Sequence, residues 1–371
     1  MSSVRYIRVT PSSDMFTPAV RAYGNVAIIG TVTPEGAAPA DMVVAGEVVP
    51  FADPSEARRR APGTLGRSVA LALKQSPGPA VVYAVRVDGN PVDWAAGFKA
   101  IESESVQLVT VAGTPLDATT GQNTGPIGLL AAHVSADAPD GLERMGVAML
   151  EDGATDTTVL TTSLAKDRMV YVAHRSAQDA AAAVAGTIAG YEPHVSMLLK
   201  PVDIDSKPLP ATDILALNGV ETPNGPPAGK GVVWLAHPPL IPGRGCYLGE
   251  GYTGDPGSTK KYIDIVRCLD DVSYRLKARL IRTIGNLRIS RSGLRALVAQ
   301  LEAVLEPLVR AEVIEGYTVV VPILALLDKE ERTPEEQAEV DDAQAQRLVE
   351  VLASVDYAGA IHRLNIKLNF H

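Results

Sequence analysis

VAIIG, residues 26 to 30, is an uninterrupted apolar run closed by a glycine, and it decides the fold class. A strand with one face in water alternates polar and apolar residues. One that is apolar throughout is covered on both faces, as in a sheet layered between helices. The segments that follow keep to that plan. Thr64 to Gln75 sets Leu65, Val69, Ala72 and Leu73 at helical spacing, and Ala80 to Val87 (AVVYAVRV) reads as a strand. Asp93 to Ile101 reads as a helix, and Val106 to Val111, Gly146 to Leu150 and Arg168 to Ala173 as strands. Ala177 to Ala189 is an alanine-rich helix. Strands alternating with helices predict an α/β (mixed α+β) fold with helices packed on the faces of a mixed sheet.

Residues 200 to 260 change character. Prolines recur from Pro201 to Pro256 among many glycines, giving a long irregular excursion with short strands such as Gly231 to Ala236. The C-terminal third is regular again. Tyr262 to Ile284 reads as a helix with Leu269, Val272, Leu276, Leu280 and Ile284 in one apolar stripe, and Asp270 and Asp271 are read as heading it. Ser292 to Ala311 carries Leu294, Leu297, Leu301, Leu305 and Leu308 on its buried face. Tyr317 to Leu327 reads as a strand with Pro322 at an edge or bulge. Thr333, Pro334 and Glu336 form a capping-box start for a helix running to about Val355.

Both ends of the chain carry β-prone segments. Leu364, Ile366, Leu368 and Phe370 alternate strictly with Arg363, Asn365, Lys367 and Asn369, the period of a half-buried strand. Such a strand needs a sheet to join, either its own subunit's or, by β-augmentation, that of another copy. Val4 to Thr10, with Val4, Tyr6, Ile7 and Val9, is a shorter stretch followed by Pro11, Ser12, Ser13 and Pro18, which suits an extended arm. The expected organisation is an N-terminal arm over 1–20, an α/β region over 21–250, a C-terminal core over 251–360 and a strand arm over 361–371.

Composition narrows the function classes. The chain is 46% hydrophobic and 21% charged, with a formal net charge of −9, which disfavours a general nucleic-acid coat. The sequence shows no N-terminal apolar core of a signal peptide and no run of about 18 apolar residues. The expectation is therefore a chain folded in a cytoplasm, without membrane insertion. Cys246 and Cys268 have no metal-ligand spacing, and the six histidines form no helical pair, so neither metal nor cofactor is expected. Gly225 to Gly231 (GPPAGKG) is one residue short of a phosphate-binding loop and has Gly231 where Ser or Thr would hold magnesium. A proline-glycine turn before a strand explains it better. No nucleophile elbow is present. An α/β enzyme with a site in the 200–260 loops stays open as the alternative, since long loops often carry function.

One run stands out. Arg275, Lys277, Arg279, Arg282, Arg288, Arg291 and Arg295 fall within twenty-one residues that hold no acid. This is either a solvated helix face or a docking surface for an acidic partner. No aromatic ladder for stacking bases accompanies it, so acidic protein is a better partner than nucleic acid.

The order of these features resembles that of the contractile tail sheath proteins of phages, R-type pyocin-like particles and related injection systems. The residues that carry the resemblance are the arm before VAIIG, the alanine-rich Ala180 to Tyr191, and the turn at Gly249, Gly251, Tyr252, Thr253 and Asp255. The stretch KKYIDIVRCLDDV (Lys260 to Val272), with Tyr262, Ile265 and Arg267, and Ser292 to Ile314 complete it. The family's G-x-R-T-L turn is replaced here by G-Y-T, which lacks the arginine. The resemblance implies a non-enzymatic structural subunit that stacks as hexameric rings around an inner tube protein and contracts to drive the tube through a target membrane. It further implies baseplate and terminator partners, strand exchange through both terminal arms, and residence in a phage tail or tail-like particle assembled in the host cytoplasm. The basic run would then face the tube, and the outer subdomain would be reduced, the chain being short for the family.

Overall fold

The computed structural model describes residues 24–136, 142–222, 228–241, 243, 245–283 and 285–362. The proposed terminal strand residues (Val4, Tyr6, Ile7, Val9, Leu364, Ile366, Leu368 and Phe370) lie outside them. The chain opens with Val26–Gly30 (β1), Val48–Phe51 (β2), Pro54–Arg60 (α1), Thr64–Leu73 (α2) and Val82–Arg86 (β3). Trp94–Ala100 (α3), Leu108–Leu116 (β4), Pro126–Ser135 (α4), Met145–Leu150 (β5), Met169–Ala173 (β6) and Ala180–Gly190 (α5) follow. The excursion contains Pro201–Val202 (β7), Ala211–Asn218 (α6), Val232–Ala236 (β8) and Cys246–Leu248 (β9). Ile263–Leu280 (α7), Arg291–Arg310 (α8), Ile314–Val320 (β10), Pro322–Asp328 (α9), Pro334–Gln346 (α10) and Leu352–Tyr357 (β11) complete it.

Among the described residues, nine strands form one sheet in the order β2-β3-β1-β4-β5-β6-β8-β9-β7. Its centre, from β3 through β8, is parallel, and β2, β9 and β7 join antiparallel at the two ends. Every residue of β1, β5 and β6 is buried, as the apolar run of VAIIG requires. Helices α2 and α5 pack on each other and on the central strands, and α3 and α4 form a second pair. The alanine-rich composition of α5 has a steric cause. All residues from Ala180 to Ala189 are buried, and a Cβ on Gly186 would lie 2.4 Å from the Ala72 carbonyl oxygen of α2. Only small side chains allow backbones so close.

The C-terminal module has two small cores. Cys268, Val272, Leu305, Leu308, Val313 and Ile314 form one, and Leu294, Val321, Ile323, Leu327 and Val340 the other. Here the structure corrects four expectations. The strand expected over Tyr317 to Leu327 ends at Val320, because Pro322 opens the short helix α9 and Ile323 and Leu327, four apart, are its buried residues. The helix from Pro334 has its expected capping box but stops at Gln346, where Arg347 turns left-handed at φ 55°, and Leu352–Tyr357 is a strand. Asp270 and Asp271 do not head α7. They lie in its second and third turns and are buried. Leu269 is 44% exposed, so the buried face runs instead through Ile263, Val266, Cys268 and Val272.

Candidate assembly surfaces

The seven basic residues of the 275–295 run are not equivalent. Arg275 Nε donates to Asp271 Oδ2 one turn back at 2.8 Å, and Lys277 Nζ donates to Glu143 Oε1 at 3.0 Å. Arg295 donates to Asp328 Oδ1 at 3.0 Å, and Arg291 lies 3.8 Å from the same carboxylate while donating to the carbonyls of Leu327 and Lys329. Of the acids that neutralise this run, Asp271 lies one turn back on α7, while Glu143 and Asp328 come from the approach to β5 and from α9, remote in sequence. Arg279, Arg282 and Arg288, around the turn at Gly285 and Asn286, are exposed. No ion pair engages these three among the described residues. The basic side chains without an ion pair among the described residues are thus those at the tip of the α7–α8 hairpin.

Beneath this tip, α7 is bound to the sheet by a charged seam that sequence spacing did not reveal. Arg168, preceding β6, makes a two-pronged pair with Asp270, with both N···O distances 2.8 Å and side-chain exposures of 19% and 11%. Arg267 donates to the carbonyl of Tyr191 at 2.8 Å. Burial pushes its guanidinium down to about 10, opposed by Asp271, Asp264 and Asp270. It therefore stays cationic at neutral pH. Tyr357 of β11 donates to Asp264 Oδ2 at 2.6 Å, joining the end of the small sheet to the start of α7.

Strands β10 and β11 pair antiparallel over Ile314 to Val320 and Leu352 to Tyr357, and among the described residues they pair with no other strand. Tyr317, Val319, Val355 and Tyr357 pack on the core of α7 and α8, while Val320 and Leu352 are about half exposed. A two-stranded sheet is marginal by itself, and each outer edge presents unpaired backbone donors and acceptors. Sequence reading placed the donor strands at the termini but missed this sheet, having assigned half of it to a helix. The β-branched and aromatic pattern of Leu352 to Tyr357 was the available signal.

The enzyme alternative placed chemistry in the 200–260 loops. A wide cleft of about 800 Å³ lies elsewhere, at the carboxyl ends of β4, β5 and β6. Several of its polar groups hold the fold together. Asp179 accepts from the Ser68 hydroxyl at 2.6 Å, from the Gly113 amide at 2.7 Å and from the Ala182 amide at the start of α5. Gly113 has φ 55°, and a Cβ there would lie 2.3 Å from Thr64 Cγ2. Buried His174 bonds the Leu150 carbonyl and the Ser176 amide. In the degraded phosphate loop, Lys230 Nζ donates to the Ala216 carbonyl at 2.9 Å, within the last turn of α6. Burial raises Cys246 and Cys268 to about 12, so neither is a nucleophile at neutral pH. Among the described residues, no group of His, Cys, Asp and Glu is placed to hold a metal, and no helix is long and apolar enough to cross a membrane.

No family model and no curated protein matches this sequence. Solved structures do match. One is a chain of the anti-feeding prophage baseplate in its contracted state, at TM-score 0.66 and 14% identity, covering 100% of this chain and 99% of that one. Another belongs to the PVC sheath complex of an extracellular contractile injection system in the contracted state, at TM-score 0.64 and 12% identity, covering 100% and 98%. The fold is one found in chains of contractile sheath and baseplate assemblies. A further match is a chain of the six-fold symmetrised anti-feeding prophage baseplate, at TM-score 0.63 and 15% identity, with both chains covered completely. Identities this low speak for the fold alone.

Proposed function

We propose that the chain is a structural subunit of a contractile sheath, polymerising with copies of itself as stacked hexameric rings around an inner tube. On this reading the sheath shortens when triggered and drives the tube through a target membrane, with a baseplate at one end and a terminator at the other. It is assembled in the host cytoplasm and resides in a tail or tail-like particle. No catalytic step is required, because contraction releases the free energy of a metastable assembly.

The observation that carries the reading is the β10–β11 sheet, both of whose edges are open among the described residues, in a fold that matches sheath and baseplate chains end to end. Its edges are acceptors of the kind that the terminal segments at Val4 to Val9 and Leu364 to Phe370 need. A strand's ladder breaks only cooperatively, so exchanged strands keep rings joined while they rotate and slide. The α7–α8 tip, with Arg279, Arg282 and Arg288, is assigned to the tube. Exposed ion pairs contribute about 0 to 1 kcal/mol each, which suits a grip that is released on firing and is multiplied around every ring. On this reading the α/β region spans residues 21–250 and the C-terminal core 251–360.

Negative-stain microscopy of the protein, alone and with a candidate inner-tube protein, tests the proposal. Rods or stacked rings are expected. Monodisperse particles under both conditions refute it.

A further inference from the structure

The Gly249–Tyr262 turn forms one wall of a small socket around His362. Glu250 ends the turn from β9, Tyr262 caps the start of α7, and Ser196 lies in the loop after α5; all three converge on His362. The Nδ1 atom of His362 lies 3.1 Å from Glu250 Oε2, with side-chain exposures of only 12% and 9%. Nε2 lies 2.9 Å from the Ser196 hydroxyl, whose oxygen accepts from the Leu198 amide. The imidazole edge meets the Tyr262 ring at 4.8 Å and 68°, and Tyr262 lies against the fully buried ring of Tyr252 at 5.4 Å. Between β11 and this point, Gly359, Ala360 and Ile361 are exposed, with Ile361 at 79%. His362 is thus where the segment after β11 is fastened to the body.

We propose that this socket fixes the root of the C-terminal strand on its own subunit, and that the surface beside Glu250 and Tyr262 is where the sheet edge of a second copy is brought to receive it. The inference rests on the strand-exchange reading above. Chain reach decides which partner moves. Leu364, the first residue of the alternating face, is two residues beyond His362 and so at most about 7 Å away on extended backbone. Phe370, the last, is at most about 28 Å away. Without the socket the tether would start at Tyr357, adding five residues and about 17 Å of play. A pinned root confines the acceptor edge to the immediate neighbourhood of the socket, whereas a loose one could reach many positions. His362 is a positioning residue for the exchange, and the tyrosine in G-Y-T builds the floor of its seat through Tyr262.

Two readouts on His362→Ala, His362→Gln and Glu250→Gln test this. The first is trypsin cleavage after Arg363 in the isolated subunit, with cleavage after the exposed Arg347 as the internal reference. The second is the critical concentration for polymerisation. His362→Ala and Glu250→Gln are expected to speed cleavage after Arg363 at least fivefold, with Arg347 unchanged, and to raise the critical concentration at least tenfold. His362→Gln, which keeps a polar group in the socket, should fall between wild type and His362→Ala in both. Unchanged thermal unfolding of the variants shows that the body is intact. Equal cleavage after Arg363 in wild type and variants overturns the socket, as does faster cleavage with unaltered polymerisation. Cleavage needs no polymer. A wild type that is protected at Arg363 yet never polymerises therefore refutes the strand exchange and not the anchoring.

Discussion

Replacing Asp270 by Ala should be among the most damaging single changes in the C-terminal module. The carboxylate meets both guanidinium nitrogens of Arg168 at 2.8 Å, and neither side chain is more than one-fifth exposed. Removing one partner of a buried pair typically costs about 3 to 5 kcal/mol, because the other charge stays desolvated. Here Arg168 retains a longer bond to the Arg144 carbonyl and some access to water. Arg267, buried in the same seam, also loses one of its three opposing acids. Weighing these, a loss of about 2 to 3 kcal/mol is expected. The assay is urea unfolding at pH 7 of wild type, Asp270→Ala, Arg168→Met and the double variant, followed by fluorescence of Trp94 and Trp234. The double-mutant cycle should return a coupling of about 1.5 to 3 kcal/mol. That coupling should persist at high salt, since shielded pairs are poorly screened. A loss below about 1 kcal/mol for Asp270→Ala, or additive single effects, would show that the seam is incidental to how α7 is held.

Deleting Leu364 to His371, or Met1 to Thr10, should leave a folded subunit that no longer forms tubes; tubes from either truncation, or outright unfolding, count against strand exchange. Reversing Arg279, Arg282 and Arg288 to Glu should abolish co-assembly with the tube while sheath-only polymers persist, and normal tube loading in micrographs would place that tip in solvent. Burial and the neighbouring Arg144, whose guanidinium lies 2.9 Å from Nε2, hold His133 down to about 4, below its ordinary 6.5. The unfolded chain therefore binds this proton first, and stability should fall as pH drops from 6.5 to 4. His133→Asn should flatten that part of the pH-stability curve. The thiols have the opposite sign: with Cys246 and Cys268 raised from 9 to about 12, stability should fall as pH rises from 9 to 12, and alkylation at pH 8 should require unfolding.

Local pattern determined much of this protein. The apolar run of VAIIG required a doubly covered strand, and all five of its residues are buried. Thr333, Pro334 and Glu336 announced the start of α10, since a capping box is made by residues three apart. Much of the alternation of strand and helix through Ala173 followed from patterns that depend only on near neighbours in the chain, although β2, α1 and α4 were not foreseen. The sheath resemblance, carried by the order of such segments, agrees with a fold matched over the whole chain.

Tertiary structure alone decided the rest, because interactions between distant segments leave no local period. The Tyr317 to Leu327 run is apolar enough for a strand, and the switch to helix at Pro322 depends on burying Ile323 and Leu327 against α8 and α10. Leu352 to Tyr357 became a strand by pairing with β10, some thirty-five residues away in sequence. The basic run looked continuous because its neutralising acids, Asp271, Glu143 and Asp328, lie outside it, leaving three arginines free of ion pairs among the described residues. Asp270 and Asp271 looked like dipole partners at a helix start, until the fold set Arg168 opposite one of them. His362 was an isolated histidine until three remote segments closed around it. Charge and hydrogen-bond partnership is set by which surfaces the packed core brings together, and the chain encodes that only through the whole fold.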